Sequence, residues 1–170
     1  MVRAQKSLTN FRGWTPIMQK FLSVIRETEM KGGHGMIKRA EDLLAIVLYE
    51  LHEQGCNKFE ASAASLHPVF YEWRKKNRTS QLYKLLVFDT RDRFPFSETI
   101  QDALDALQFS GYLERTNPKG IYFEINPKIK KLYPAIQERF DENEIVLIRS
   151  LAQKIIENIK TVQEPRPVSS

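Results

Sequence analysis

The stretch SETIQDALDALQFSGYLERTNPKGIYFEINP, residues 97–127, reads as one unit: a helix, a glycine stop and a short β-hairpin. Ser97 is a good N-cap, and Ile100, Ala103, Leu104 and Leu107 recur at helical spacing behind it. Gly111 stops the helix. Tyr112-Leu113-Glu114-Arg115 and Ile121-Tyr122-Phe123-Glu124-Ile125 then flank the turn Asn117-Pro118-Lys119-Gly120, the pattern of two paired strands. The expected fold is mainly α with a small β-hairpin.

Around this unit the chain has the means to build a core. Its 170 residues are 42% hydrophobic and 11% aromatic, which excludes a disordered protein. The formal net charge is +5, from 26 basic and 21 acidic residues, a balance that permits a polyanionic partner without demanding one. The single cysteine, Cys56, excludes an internal disulfide and fits a reducing compartment. No apolar run reaches the roughly 18 residues of a membrane span, and no apolar segment follows the basic start as in a secretory signal. A cytoplasmic protein with no membrane partner is expected.

The pattern upstream predicts helices. Residues 1–13 read as a flexible basic arm, and Thr15-Pro16 opens a helix carrying Ile17, Phe21, Leu22, Val24 and Ile25. Gly32-Gly33-His34-Gly35 marks a bend. A strongly apolar helix is expected from about residue 39 to 53, with Leu43, Leu44, Ile46, Val47, Leu48 and Leu51, ending at Gly55. Phe59-Glu60-Ala61 suits a short strand. Pro68 is read near the start of a helix running into Arg74-Lys75-Lys76-Asn77-Arg78, and Thr79 or Ser80 caps a further short helix. Asn126-Pro127 opens the next helix and Asp141 caps the last, with residues 163–170 as a disordered tail. The domain plan is thus an arm (1–13), a main domain (14–140), a C-terminal helix (141–162) and the tail.

That last helix carries Ile145, Ile148, Leu151, Ala152, Ile155, Ile159 and Val162 in steps of three and four. Such a stripe either docks on the chain's own core or forms a homodimer seam through Ile145, Ile148, Leu151, Ile155 and Ile159.

No catalytic constellation is legible, so no enzyme, metal or cofactor is expected. His34, His52 and His67 are scattered, and His52 with Cys56 has no second ligand pair. The Gly32–Gly35 run lacks the Lys-Ser/Thr ending of a phosphate loop. Basic residues are the stronger signal. Arg74, Lys75, Lys76 and Arg78 sit at one helix end; Arg91 and Arg93 precede the helix of the opening stretch; Arg115 and Lys119 lie on the hairpin; Lys128, Lys130 and Lys131 follow it. These suit phosphate contact. The helix itself offers Thr99, Gln101 and Gln108 for base edges, but beside them stand Glu98, Asp102 and Asp105 with no lysine or arginine.

The run Leu107-Gln108-Phe109-Ser110-Gly111-Tyr112-Leu113-Glu114-Arg115 resembles the helix and wing of MarR-type regulators. The longer layout over residues 41–115 is similar to Panacea (SocA-like) domains, through Phe94-Pro95-Phe96-Ser97 and Asp102-Ala103-Leu104-Asp105-Ala106-Leu107, with Phe94 where that group usually has glycine. The resemblance implies a winged helix-turn-helix with extra N- and C-terminal helices. The MarR-type likeness implies a dimeric prokaryotic transcription regulator binding double-stranded DNA through Thr99, Gln101, Gln108, Arg115, Lys119, Arg74, Lys75, Lys76 and Arg78. The SocA-like likeness implies instead a protein-interaction module, antitoxin-like or an accessory subunit, whose acidic helix meets a protein partner.

Overall fold

A computed structural model describes residues 37–60, 62–116 and 122–163, with side chains as far as residue 159. The basic arm, the helix expected after Thr15, the glycine bend, the hairpin turn with Lys119, the side chain of Val162 and residues 164–170 lie outside the described residues. The described chain is mainly helical with a small antiparallel sheet. Its elements run α1 (Ala40–Glu53), β1 (Lys58–Glu60), α2 (Ala63–Lys76), a 3-10 turn (Gln81–Leu85), α3 (Glu98–Phe109), β2 (Leu113–Thr116), β3 (Tyr122–Ile125), α4 (Ile129–Gln137) and α5 (Glu142–Gln163).

Helix α1 is the centre of the core. Leu43, Ile46 and Leu51 have no exposed surface, and Leu44, Ala45, Val47 and Leu48 are buried on the remaining sides. A helix apolar all round must be covered all round. Ile100, Leu104 and Leu107 of α3, Ile129 and Ile136 of α4, and Ile148, Leu151 and Ile155 of α5 join the same cluster. Asp42 closes the first turn of α1 by accepting from the Arg39 N–H at 3.2 Å.

Two helices stop in the same way. Gly55 and Gly111 adopt φ +78° and +75°, and the following N–H groups of Cys56 and Tyr112 reach back to the carbonyls of Leu51 and Leu107 at 2.9 Å. This closure needs a left-handed residue, which glycine adopts without a Cβ penalty. Each stop turns the chain into the sheet, whose strand order is β1-β3-β2. The hairpin gains a third strand because Phe59 pairs with Phe123, while Leu113 pairs with Ile125 on the other side. All four of these side chains face the core.

Two readings of the sequence change, and for the α5 stripe one of two alternatives is found. Pro68 does not start α2: the helix begins five residues earlier, at Ala63, with Ser62 as N-cap and Pro68 inside it. Proline there removes the bond to the Ala64 carbonyl, and Ala64 is exposed, at a site where solvent lowers the cost of the missing donor. Asn126 does not cap α4 directly; it accepts from the Lys128 N–H at 3.0 Å one turn earlier, and α4 starts at Ile129. The α5 stripe is internal. Ile148, Leu151 and Ile155 are fully or almost fully buried in the chain's own core, and Ile145 and Ile159 pack against it. They are therefore not an exposed seam between copies.

Polar contacts hold α5 in place. The Trp73 indole Nε1–H donates to the Leu147 carbonyl at 3.0 Å. Arg149 Nε donates to Glu50 at 2.9 Å, Arg139 Nη1 to both Asp42 oxygens at 2.9 Å, and Lys38 Nζ to Glu144 at 2.6 Å. Asp141 and Glu144 cap each other's backbone N–H groups at the start of α5.

Packing of α5 inside the core sets a measurable cost. Ile148→Ala and Leu151→Ala are each expected to lower the unfolding free energy by about 2–5 kcal/mol, independent of protein concentration. Val146→Ser, on the exposed side, is expected to stay within about 0.5 kcal/mol of the parent. Urea unfolding at two protein concentrations distinguishes this from a seam, whose variants lose stability only through dissociation.

Candidate nucleic-acid interface

The connection from α2 to α3, residues 77–97, is an ordered unit built on α2. Leu82 and Leu86 are fully buried, and the Ser80 hydroxyl caps the 3-10 turn by accepting from Leu82 N at 3.2 Å. The Arg74 guanidinium lies 3.7 Å over the Tyr83 ring, and its Nε donates to the Tyr83 carbonyl at 3.1 Å. Tyr71 meets Phe88 edge to face at 5.3 Å. Beyond Phe88 the chain folds into a small hairpin closed by one rung: Asp89 N to Phe96 O at 2.7 Å and Phe96 N to Asp89 O at 2.8 Å.

His67 fastens the end of that hairpin to α2. Its ring is fully buried, stacks on Phe96 at 4.8 Å, and accepts the Ser97 N–H at Nδ1 over 3.1 Å. Ser97 in turn caps α3 by accepting from Ile100 N at 3.3 Å. An acceptor Nδ1 requires the proton on Nε2, and that atom is buried without a partner. Burial therefore disfavours the cation and pulls the His67 pKa down to about 4.

Positive charge is concentrated at the end of α2 and along this connection. Residues 74–93 contain seven basic residues (Arg74, Lys75, Lys76, Arg78, Lys84, Arg91 and Arg93) against Asp89 and Asp92, a net +5. Their environments differ. Arg74 is a strut for Tyr83, as described; Lys75 pairs with Glu72 at 3.2 Å. The Arg91 guanidinium engages the Asp89 carboxylate, holding that acid down at about 2. Lys76, Arg78, Lys84 and Arg93 are exposed and have no acidic partner among the described residues. They are the cations open to an anion. Lys84 escaped the sequence reading because it is isolated between apolar residues; the charge bias of the whole segment is the signal that would have found it.

The expected groove-reading side chains are differently placed. Thr99 is half-buried, Gln101 Nε2 donates to Asp105 at 3.0 Å, and Gln108 Oε1 accepts from Arg115 Nε at 3.2 Å. Arg115 also lies 5.3 Å over the Phe123 ring. The exposed face of α3 thus presents Glu98, Asp102 and Asp105, with both glutamines already engaged. Phosphates are repelled by such a face.

A cleft between Phe59, Leu66, Val69, Tyr122, Ile155 and Ile159 encloses about 40 Å³, room for a few waters and far below a ligand pocket of about 300 Å³ or more. Among the described residues no three His, Cys, Asp or Glu side chains gather as a metal site. His52 Nδ1 is hydrogen-bonded with Asn57, and the Cys56 thiol points to the Lys58 carbonyl at 3.9 Å. Among the described residues no helix is long and apolar enough to cross a membrane. No family model, curated protein or solved structure matches the chain.

His67 gives a pH signature. The folded-state value near 4 lies below the ordinary 6.5, so the unfolded chain takes up a proton across that window while the native ring stays neutral. Stability is then expected to fall as pH drops from about 6.5 to 4, by up to about 1.4 kcal/mol per pH unit, with no contribution above that range. Urea midpoints against pH for the parent and His67→Gln check this: the parent has the steeper loss below pH 6.5, and the two curves run parallel above pH 7.

Proposed function

We propose that the protein is a winged helix-turn-helix protein that binds double-stranded DNA chiefly through its phosphates. The fold part of this reading is supported by the order α1-β1-α2-α3-β2-β3 and the strand order β1-β3-β2. In that architecture α2, its connection to α3 and the wing border the duplex. The functional part rests on one observation: residues 74–93, the end of α2 and the connection that follows it, carry a net charge of +5 and four exposed cations without an acidic partner among the described residues, Lys76 on the last turn of α2 and Arg78, Lys84 and Arg93 beyond it. Arg115, on the wing, adds a fifth positive group.

Lysine and arginine on phosphates release counterions, which supplies affinity without sequence information. Acidic residues on α3 keep that helix from the intimate contact with base edges that direct readout needs. Binding through positioning contacts, with little help from α3, is the physical consequence. A role as a prokaryotic transcription regulator is compatible with this mode; it does not use the α5 stripe as a seam between copies, since Ile148, Leu151 and Ile155 are buried in the chain's own core.

A second reading is favoured by α3 itself. Glu98, Asp102 and Asp105 share its exposed face, and Phe109 at its end is 69% exposed. A protein-interaction module would offer this face to a basic partner, as an accessory or antitoxin-like subunit.

Fluorescence anisotropy with a mixed-sequence duplex separates the two. Binding is expected at low salt, with log K falling linearly in log salt at a slope of about −4 for four phosphate contacts. Lys76→Ala and Arg78→Ala are each expected to weaken binding to every sequence alike and to flatten the slope by about one. No duplex binding at low salt overturns the DNA reading and leaves the protein module.

A further inference from the structure

The hairpin of residues 89–96 has a fixed base and an exposed tip, and its geometry suits it for a task α3 cannot perform. Its base is held from two sides. Phe96 stacks on the buried His67, whose Nδ1 also takes the Ser97 N–H, and Phe88 packs on Tyr71. The rung between Asp89 and Phe96 keeps the two arms together, and Asp89 Oδ1 accepts the Arg91 N–H at 3.0 Å to tighten the bend. Thr90, Arg91, Asp92 and Arg93 form the tip and are all exposed. The base of the hairpin leads through Ser97 straight into the N-terminal end of α3, the end that helix-turn-helix proteins bring to the groove.

Within the tip the charges sort themselves. Arg91 is bound to Asp89, its Nε lying 2.9 and 3.0 Å from the two carboxylate oxygens, so this pair is neutral toward an outside anion. Arg93 has no such partner. A small hairpin ordered before binding loses little conformational freedom on docking, so its free guanidinium meets a ligand at low entropic cost.

Resting on the DNA reading above, we infer that this hairpin is the sequence-sensitive element of the protein, with Arg93 entering the minor groove of A·T-rich duplex. A helix does not fit the minor groove, about 6 Å wide, whereas a single side chain carried on a narrow loop does. Narrow A·T-rich grooves concentrate negative potential, which draws a guanidinium in. Arginine suits the task better than lysine because it is more weakly hydrated and gives up less solvation on entry. Asp92, next to Arg93 and exposed, is a standing penalty toward phosphates.

The test compares an A-tract duplex with a G·C duplex of equal length at one salt concentration, by anisotropy. The parent is expected to prefer the A-tract by about five- to a hundredfold, the range of one good groove contact. Arg93→Ala, at an exposed site that leaves the fold intact by circular dichroism, is expected to bind the two duplexes equally. Asp92→Asn is expected to bind both more tightly with the preference kept, and Lys76→Ala to bind both more weakly with the preference kept. Netropsin, a minor-groove ligand, is expected to displace the parent from the A-tract. A parent without preference, a preference that survives Arg93→Ala, or resistance to netropsin overturns the inference while DNA binding itself stands. A parent that binds neither duplex overturns the DNA reading, and the inference falls with it.

Discussion

The structure depends on helix α1 being buried on all sides. Ten of its 14 residues are buried, including two carboxylates, Asp42 and Glu50. A helix with so little solvent-facing surface leaves its neighbours no choice of partner: α3, α4 and α5 must each turn an apolar stripe toward it. The two buried acids need compensation, because an unpaired charge in a core costs several kcal/mol. Arg139, in the turn between α4 and α5, and Arg149 on α5 supply it. The same contacts that neutralise α1 thereby fix α4 and α5 onto the body of the fold.

Function is left to whatever the core does not consume. With α5 buried, the longest apolar stripe in the chain is no longer a surface, and the remaining signal is electrostatic. That signal is polarised over a short length of chain, with basic residues from α2 to the hairpin tip and acidic residues along α3 immediately after it. His67 lies at the junction, tying the hairpin base to the cap of α3 through one buried ring. Ordering of the connection is what turns a basic run into a shaped surface, since Arg74, Tyr83, Tyr71 and Phe88 hold the backbone from which the free cations project.

Much of the architecture was legible because its signals are local. Ser97 and Gly111 bracket α3, Gly55 ends α1, and the alternation on either side of residues 117–120 marks the paired strands. Each is decided by neighbours within about five residues, through capping, helical period or the left-handed glycine closure. The exceptions are also informative. Pro68 looked like a start because proline favours the first turn of a helix, yet the exposure of Ala64 lets α2 continue past it. The rung from Asp89 to Phe96 had no local pattern; Phe96 settles there because it stacks on a ring from another helix.

The amino-acid order by itself determined which segments are helices and strands, where they stop, and how charge is distributed along the chain. Only the tertiary structure decided which charges are free and which apolar stripe is covered. Arg139 and Asp42 are 97 positions apart, Arg149 and Glu50 are 99, and Lys38 and Glu144 are 106. Pairings at such separations follow from how helices pack, a cooperative outcome of the whole core, and leave no trace in any window of sequence. Lys76, Arg78, Lys84 and Arg93 stand open to a partner for the same reason: packing brought no acid within their reach.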